Sequence, residues 1–397
     1  MFEIILFILL GVFAGTITGL IPGIHTNLIA VFILGTLPFL QQIPVLNLLI
    51  FLVAMAMTHT FVDFIPSIYL GAPDEDTSLS VLPGHKLLLQ GKAHNAIKYT
   101  TLGSIIAIII LIILIPISFF ILAKIYPFIE KLMSWILIWI SFFLLYNEKE
   151  KKTISFIFFM LAGFLGLANS NLNLAQPLLP LLTGLFGSST LIYSISKNSK
   201  IPEQIIEKIK ISKKEIIKPA ITSAIISPFC SFLPGLGSSQ AAIIGLSFNK
   251  KTTDKEFLIL LGSINTLVMG FSFVTLYLIN KTRTGIASAI SEITKITFNQ
   301  LTYLIIAIIV SSILATVIAL NLSKIFAKHS KKINYQKLSK IILLLLTVII
   351  FSITGLLGFF VFIISTILGL TCMAYNVKRS FLMGCLLIPS ILFYLPI

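Results

Sequence analysis

The sequence predicts an all-α polytopic membrane protein. Of the 397 residues, 57% are hydrophobic and 11% are charged, whereas soluble proteins carry about 25% charged residues. The mean hydropathy is +1.04, and the apolar residues form long runs instead of the short alternating segments of a transmembrane barrel. Helices are therefore the expected way of crossing the bilayer, because they satisfy every backbone polar group internally.

Apolar runs of membrane length, or of the length of a shorter helical arm, follow one another along the whole chain. They fall at about 3–21, 24–40, 45–70, 100–125, 132–147, 153–169, 176–195, 219–233, 237–249, 256–280, 300–323, 341–357, 359–375 and 380–396.

The lysines indicate which loops face the cytoplasm. They concentrate in segments 84–98, 148–152, 196–218 and 324–340, whereas 41–47 and 170–176 carry no charge. Basic loops lie on the inner side of a membrane, so these four segments are predicted to be cytoplasmic in a multi-pass protein of the cell membrane. Because successive spans cross the membrane in alternating directions, a turn outside is then required at 126–131, and both termini are predicted to lie outside. The same rule accounts for the net charge of +15 without nucleic acid as a partner.

Two Pro-Gly segments interrupt apolar runs. "LIPGIHTN" spans Leu20 to Asn27, and "FLPGLGSS" spans Phe232 to Ser239. Basic residues flank the second segment on both sides, so the chain enters and returns there as a hairpin. The first hairpin opens towards the uncharged loop 41–47, on the opposite side.

The order of elements repeats after each hairpin. The two Pro-Gly motifs are offset by 212 residues, and "SIYL" (67–70) matches "TLYL" (275–278) at an offset of 208. We therefore expect an inverted-topology repeat, in which each half is a Pro-Gly-broken helical hairpin plus about five transmembrane helices. Residues 1–195 form the first repeat, 196–218 a basic cytoplasmic linker, and 219–397 the second repeat. Inverted repeats with broken helices are typical of secondary transporters.

The two hairpin turns are the predicted substrate site. A helix restarting after each Pro-Gly pair presents free N–H groups and a positive dipole end, which favour an anion. The substrate-binding residues are then Pro22, Gly23, His25, Thr26, Asn27, Pro234, Gly235, Gly237, Ser238 and Ser239. The alternative is two tight loops, capped by Thr26 and Ser238.

Charged residues elsewhere suggest ion coupling or gating. His59 and Asp63 are four residues apart on one helical face; intramembrane carboxylates often couple protons or sodium, although this pair could equally brace the bundle. Asp74 and Asp76 either ligate a cation or cap a helix that starts near Thr77.

Two basic residues follow the second long helix. Lys281 and Arg283 in "NKTRTG" are possible anion contacts or interfacial anchors.

Enzymatic chemistry has no signature in this sequence. HExxH and GxSxG motifs are absent, and the three cysteines lie singly in apolar stretches. We therefore predict no catalytic residue, no metal site and no cofactor beyond a coupling Na⁺ or H⁺.

The motifs resemble one known family, the large membrane subunit of tripartite tricarboxylate transporters, in its short archaeal-like branch. The resemblance is carried by "GVFAGTITGLIPGIHTN" (11–27), "YLGAPDEDTSLSVLPGHKLLLQGKAHNAIKYTTLGS" (69–104) and "PFCSFLPGLGSSQAAIIG" (228–245). It implies passage of a tricarboxylate or similar anion, with a small membrane subunit and an external solute-binding protein as partners. The chain departs from the pattern where His25 stands opposite Gly237, and in being shorter than bacterial members.

Two functions fit these observations. The first is a secondary active transporter of a small organic anion, a di- or tricarboxylate, driven by Na⁺ or H⁺. The second is a transporter or flippase of a lipid-linked anion such as polyprenyl phosphate, because the same helix ends would hold a phosphate. A lateral opening between helices would distinguish the second from the first.

Overall fold

The computed structural model confirms an all-helical membrane protein. It describes residues 2–21, 42–71, 77–146, 148, 150–174, 176–196, 202–232, 238–247, 252–281, 284–329 and 335–395. Throughout these ranges the regular structure is helical, and seven of the described helices are long and apolar enough to cross a membrane.

The helices are numbered α1 to α14 in chain order. Those before the linker are α1 (Phe2–Leu20), α2 (Val45–Val62), α3 (Val81–Leu89), α4 (Ala93–Tyr146), α5 (Lys152–Ser170), α6 (Leu178–Leu182) and α7 (Ser189–Ser196). A π-helical segment, Pro66–Leu70, extends α2, a second one, Thr183–Ser188, joins α6 to α7, and a 3₁₀ turn, Ser78–Ser80, precedes α3.

After the linker come α8 (Lys213–Cys230), α9 (Ser238–Ser247), α10 (Asp254–Ile279), α11 (Gly285–Ile293), α12 (Phe298–His329), α13 (Tyr335–Ala374) and α14 (Gly384–Tyr394). A 3₁₀ helix, Arg379–Met383, leads into α14.

The turn predicted at 126–131 is wrong, because α4 runs as one helix of 54 residues. At 1.5 Å per residue it is about 80 Å long, more than twice the roughly 30 Å of hydrocarbon in a bilayer. Pro116 and Pro127 lie inside the helix. Proline is tolerated inside a membrane helix, where it produces a kink, because neighbouring groups satisfy the freed carbonyl. The predicted sidedness of the basic loops used this turn and stays a prediction.

The predicted separation of the apolar runs 341–357 and 359–375 matches the structure to within a few residues. Within α13, Gly355 has φ 65° and ψ −163°, a conformation that glycine adopts without steric cost. The chain changes direction there, so α13 is two helical segments.

The first two long helices pack side by side and run parallel. Near their first turns the amide of Asn47 donates to the carboxylate of Glu3 (3.0 Å), and near their last turns Thr18 Oγ1 lies 3.1 Å from His59 Nδ1. The last turn of α1 and the first turn of α2 therefore lie at opposite ends of this pair.

A second parallel pair, α8 and α10, lies after the linker. Lys255 is 4.0 Å from Glu215, and the hydroxyls of Ser223 and Ser263 are 2.7 Å apart. This pair again has a Pro-Gly segment between its members, in residues 233–237, which lie outside the described ranges.

The two pairs meet with opposite directions. Along the contact between α2 and α10, Gly270 faces Met57, whereas Asn265 hydrogen-bonds to Asp63. Sequence numbers rise along one helix as they fall along the other, so α2 and α10 are antiparallel.

The linker is docked against the first half. Its segment without regular secondary structure, residues 202–212, is called the strap below. Gln204 accepts a hydrogen bond from the backbone N–H of Ala93 (2.9 Å) and donates one to the carbonyl of Leu88 (3.0 Å). The backbone N–H of Ile205 donates to the carbonyl of Gly91 (2.7 Å). The strap thus closes the turn between α3 and α4.

A buried arginine organises the other end of the chain. Arg379 is 3% exposed and donates to the carbonyls of Leu185 and Phe186 and to the hydroxyls of Ser189 and Thr190. These acceptors belong to the π-helical segment and the start of α7. The same two carbonyls also accept from the hydroxyls of Ser189 and Thr190, so the guanidinium joins a continuous hydrogen-bond network.

Close packing of α4 on α10 depends on two glycines. A Cβ on Gly103 would overlap the carbonyl oxygen of Ile259, and a Cβ on Gly262 would overlap that of Thr100. Small residues allow this close approach between membrane helices.

Gly103→Val should therefore force the helices apart and destabilise the protein by about 1–3 kcal/mol, as overpacking does. The midpoint of thermal unfolding in detergent measures this loss. Ile105→Trp, which adds bulk on the partly exposed side of the same helix, is the control and should leave the midpoint nearly unchanged. Equal midpoints for the two variants would contradict this account of the contact.

Candidate functional site

The predicted pair on α2 lies in the interior. His59 and Asp63 are 3% and 4% exposed, and the backbone N–H of Asp63 donates to the carbonyl of His59 (3.0 Å). His59 Nδ1 lies 3.1 Å from the hydroxyl of Thr18 on α1. Asp63 Oδ2 accepts a hydrogen bond from Asn265 Nδ2 on α10 (2.9 Å).

Asn265 joins three helices through one amide. Its Nδ2 also points to the carbonyl of Thr60 on α2 (3.5 Å), while its Oδ1 accepts from the hydroxyl of Ser238 on α9 (3.5 Å). Sequence reasoning missed this residue. The available signal was an amide in the middle of an apolar span, where polar side chains are costly and often functional.

Hydroxyl groups extend the cluster in both directions. Thr60 Oγ1 and Thr266 Oγ1 are 3.2 Å apart across the α2–α10 contact. Ser67 Oγ donates to the carbonyl of Asp63 (2.9 Å) and lies 2.6 Å from the hydroxyl of Thr77. We call the set His59, Thr60, Asp63, Asn265, Thr266 and Ser238 the polar cluster.

The described flanks of both Pro-Gly segments lie beside this cluster. Gly19, at the last turn of α1, approaches the backbone N of Asp63 so closely that an added Cβ would lie 3.2 Å from it. Ser238, the first residue of α9, is 1% exposed and contacts Asn265. The described flanks of the two Pro-Gly segments are thus brought to one place.

Most of the predicted turn residues themselves lie outside the described residues. They are Pro22, Gly23, His25, Thr26, Asn27, Pro234, Gly235 and Gly237, and the same holds for Asp74, Asp76 and Arg283. Ser239 lies in the first turn of α9. Their predicted roles stay predictions.

Lys281 lies away from the polar cluster. It follows Asn265 by 16 residues, about 24 Å along a helix. Its Nζ is 3.6 Å from a carboxylate oxygen of Glu130 and 5.7 Å from the centre of the Tyr126 ring, both on α4. Lys281 therefore stands at an exposed surface contact between α10 and α4.

The chemistry of the polar cluster follows from its composition. One carboxylate, one imidazole, one amide and several hydroxyls supply both donors and acceptors within a buried space. Asp63 supplies the negative charge that a sodium ion or a proton would need. Among the described residues, no three His, Cys, Asp or Glu side chains come together as a metal site.

Comparison with known proteins gives a family. Residues 5–384 match the Tripartite tricarboxylate transporter TctA family. The chain is 32% identical over 404 residues to the uncharacterized protein MJ1079 of Methanocaldococcus jannaschii, a match that covers 98% of this chain and 99% of that protein. No solved structure matches the chain. Because the family match extends over nearly the whole sequence, the chain belongs to the tripartite tricarboxylate transporter TctA family.

Proposed function

We propose that the chain is a secondary active transporter of a small organic anion, a di- or tricarboxylate. The observation that carries the proposal is that the described flanks of both Pro-Gly segments, Gly19 and Ser238, lie beside a buried acid–amide pair, Asp63 and Asn265. Helix N-termini after the turns would bind the anion, and Asp63 would bind the coupling Na⁺ or H⁺ beside it. Membership of a transporter family supports transport over catalysis.

The two halves are proposed to form an inverted-topology repeat. Two contacts between aromatic rings support it. Tyr69 packs on Phe326 with ring centres 5.5 Å apart and an angle of 43° between the ring planes. Tyr277 packs on Phe119 with ring centres 5.8 Å apart and an angle of 42° between the planes. The tyrosines are 208 residues apart and the phenylalanines 207. Each half thus offers a tyrosine to the other half's phenylalanine in the same geometry, as a two-fold relation requires.

The proposed setting follows from the family and the charge pattern. The protein lies in the cell membrane with segments 84–98, 148–152, 196–218 and 324–340 in the cytoplasm and both termini outside, a setting that requires α4 to reverse its direction near Pro127. Its partners are a small membrane subunit and an external solute-binding protein.

If Asp63 couples the ion, Asp63→Asn should abolish the dependence of anion uptake on Na⁺ or on the proton gradient. The asparagine keeps an oxygen that accepts from Asn265 but carries no charge, so the fold should persist. Uptake into proteoliposomes, with each gradient imposed separately, measures the effect.

Glu130→Gln is the matched control, since it removes an exposed carboxylate from α4 and should leave the ion dependence intact. Unchanged ion dependence in Asp63→Asn would return Asp63 to a bracing role.

A specific observation favours a second candidate, the transport of a lipid-linked anion such as polyprenyl phosphate. A cavity of about 600 Å³ lies between α4, α8 and α9, and its lining is entirely apolar. Its wall includes Phe128 and Ile225, which are 66% and 59% exposed. The cavity is therefore a lateral groove, open on the outer side of α4 and α8.

Ile225→Trp should fill part of this groove, whereas Ile221→Trp adds the same bulk one turn earlier on α8, at a residue with similar exposure outside the groove. If a hydrocarbon chain occupies the groove, Ile225→Trp should weaken binding of a polyprenyl phosphate several-fold and Ile221→Trp should not. Equal affinity in both variants would argue against the lipid-linked substrate.

A further inference from the structure

A second cavity, polar and separate from the groove, lies under the strap. Its volume is about 550 Å³, within the range of roughly 300–1,000 Å³ for small-molecule sites. Three parts of the chain form its walls: the turn between α3 and α4 with the start of α4, the strap, and the start of α10. We call it the strap cavity.

Positive charge predominates in the strap cavity. Lys92, Lys208, Lys210 and Lys255 line it, against the acids Glu207 and Asp254. Within the part of the chain that the structure describes, Lys208 and Lys210 form no ion pair.

The other two lysines are only loosely paired. Lys92 is 3.9 Å from Glu207, and Lys255 is 4.0 Å from Glu215. These pairs are long and exposed to solvent, so they contribute little to stability. Four ammonium groups are therefore available to an incoming anion.

The wall that carries these lysines is fixed before any ligand arrives. Asn95 donates to the Glu207 carboxylate (2.9 Å), and Lys98 Nζ donates to the Glu207 carbonyl. With the bonds of Gln204 to both sides of the α3–α4 turn, they hold the strap in place. The strap backbone therefore loses little conformational entropy on binding, which favours affinity.

The strap cavity does not lead to the polar cluster along α4 and α10. Just beyond it, Gly103 and Gly262 bring the two helices into backbone contact. Asn265 follows Lys255 by ten residues, about 15 Å along α10. A ligand in the strap cavity would be distinct from a substrate at the polar cluster.

We propose that the strap cavity binds an anion with at least two negative charges on phosphate. This anion bridges the strap, α4 and α10. Lysine is a common phosphate ligand and acts as a point charge, without the planar geometry that arginine imposes. The phosphate belongs either to a soluble phosphorylated molecule or to a phospholipid headgroup at the membrane surface. A ligand that touches both halves and the strap holds them in one arrangement.

The test uses the full chain, purified in detergent, with sodium tripolyphosphate as the soluble probe and calorimetric titration as the readout. The double variant Lys208→Gln/Lys210→Gln should lose at least ten-fold in affinity. Lys213→Gln/Lys214→Gln removes the same charge from exposed lysines that lie outside the cavity lining, and should stay within two-fold of the wild type. Asp63→Asn should also bind normally, which separates this site from the proposed transport site.

A parallel arm distinguishes the two phosphate sources. Lipid nanodiscs with and without phosphatidic acid report headgroup binding as a rise in the thermal unfolding midpoint. If the Lys208/Lys210 variant loses this rise and the Lys213/Lys214 variant keeps it, the strap cavity binds the headgroup. If tripolyphosphate binds and only the Lys208/Lys210 variant loses that binding, the strap cavity binds a soluble molecule. If neither probe binds, or if both double variants lose affinity equally, the proposal is overturned.

Discussion

The hydrogen bond between Asp63 and Asn265 is the interaction on which the arrangement of the helices depends. A carboxylate that is 4% exposed inside an apolar bundle is costly unless it is hydrogen-bonded. The bond to Asn265 at 2.9 Å fixes α2 against α10 at this level. Because one partner comes from each half of the chain, the same bond sets how the halves meet.

The packing of the surrounding helices allows α2 and α10 to come close enough for this hydrogen bond. Glycines on α1 allow its close approach to α2, and glycines on α4 and α10 do the same where the two halves of the chain meet. Hydroxyls fill the remaining polar positions, as between Thr60 and Thr266. In a membrane, small residues and interhelical hydrogen bonds replace the hydrophobic driving force, so these few contacts determine the geometry of the bundle. The strap adds a polar brace at one end, outside the apolar region.

Much of the fold could be predicted from the sequence, because hydropathy and helix length report directly on membrane spans. His59 and Asp63 were found because two ionisable residues in an apolar helix are conspicuous. Asn265 was missed because a single uncharged amide in an apolar span is less conspicuous than an ionisable pair, and because its role depends on a partner 202 residues away. The turn at 126–131 was predicted wrongly because proline and charge mark a kink as readily as a loop. The docking of the strap had no local signal, since it depends on Gln204 meeting a turn far away in sequence.

The most direct test of an anion site at the polar cluster is a thermal-unfolding screen of the purified protein. The panel contains citrate, succinate, inorganic phosphate and a short-chain polyprenyl phosphate, each with and without sodium. A ligand at 100 times its Kd should stabilise the folded state by about 2.7 kcal/mol. The account predicts a higher midpoint with a soluble carboxylate, and a larger rise where sodium is the coupling ion. A rise with the lipid phosphate alone, or with no member of the panel, would contradict it.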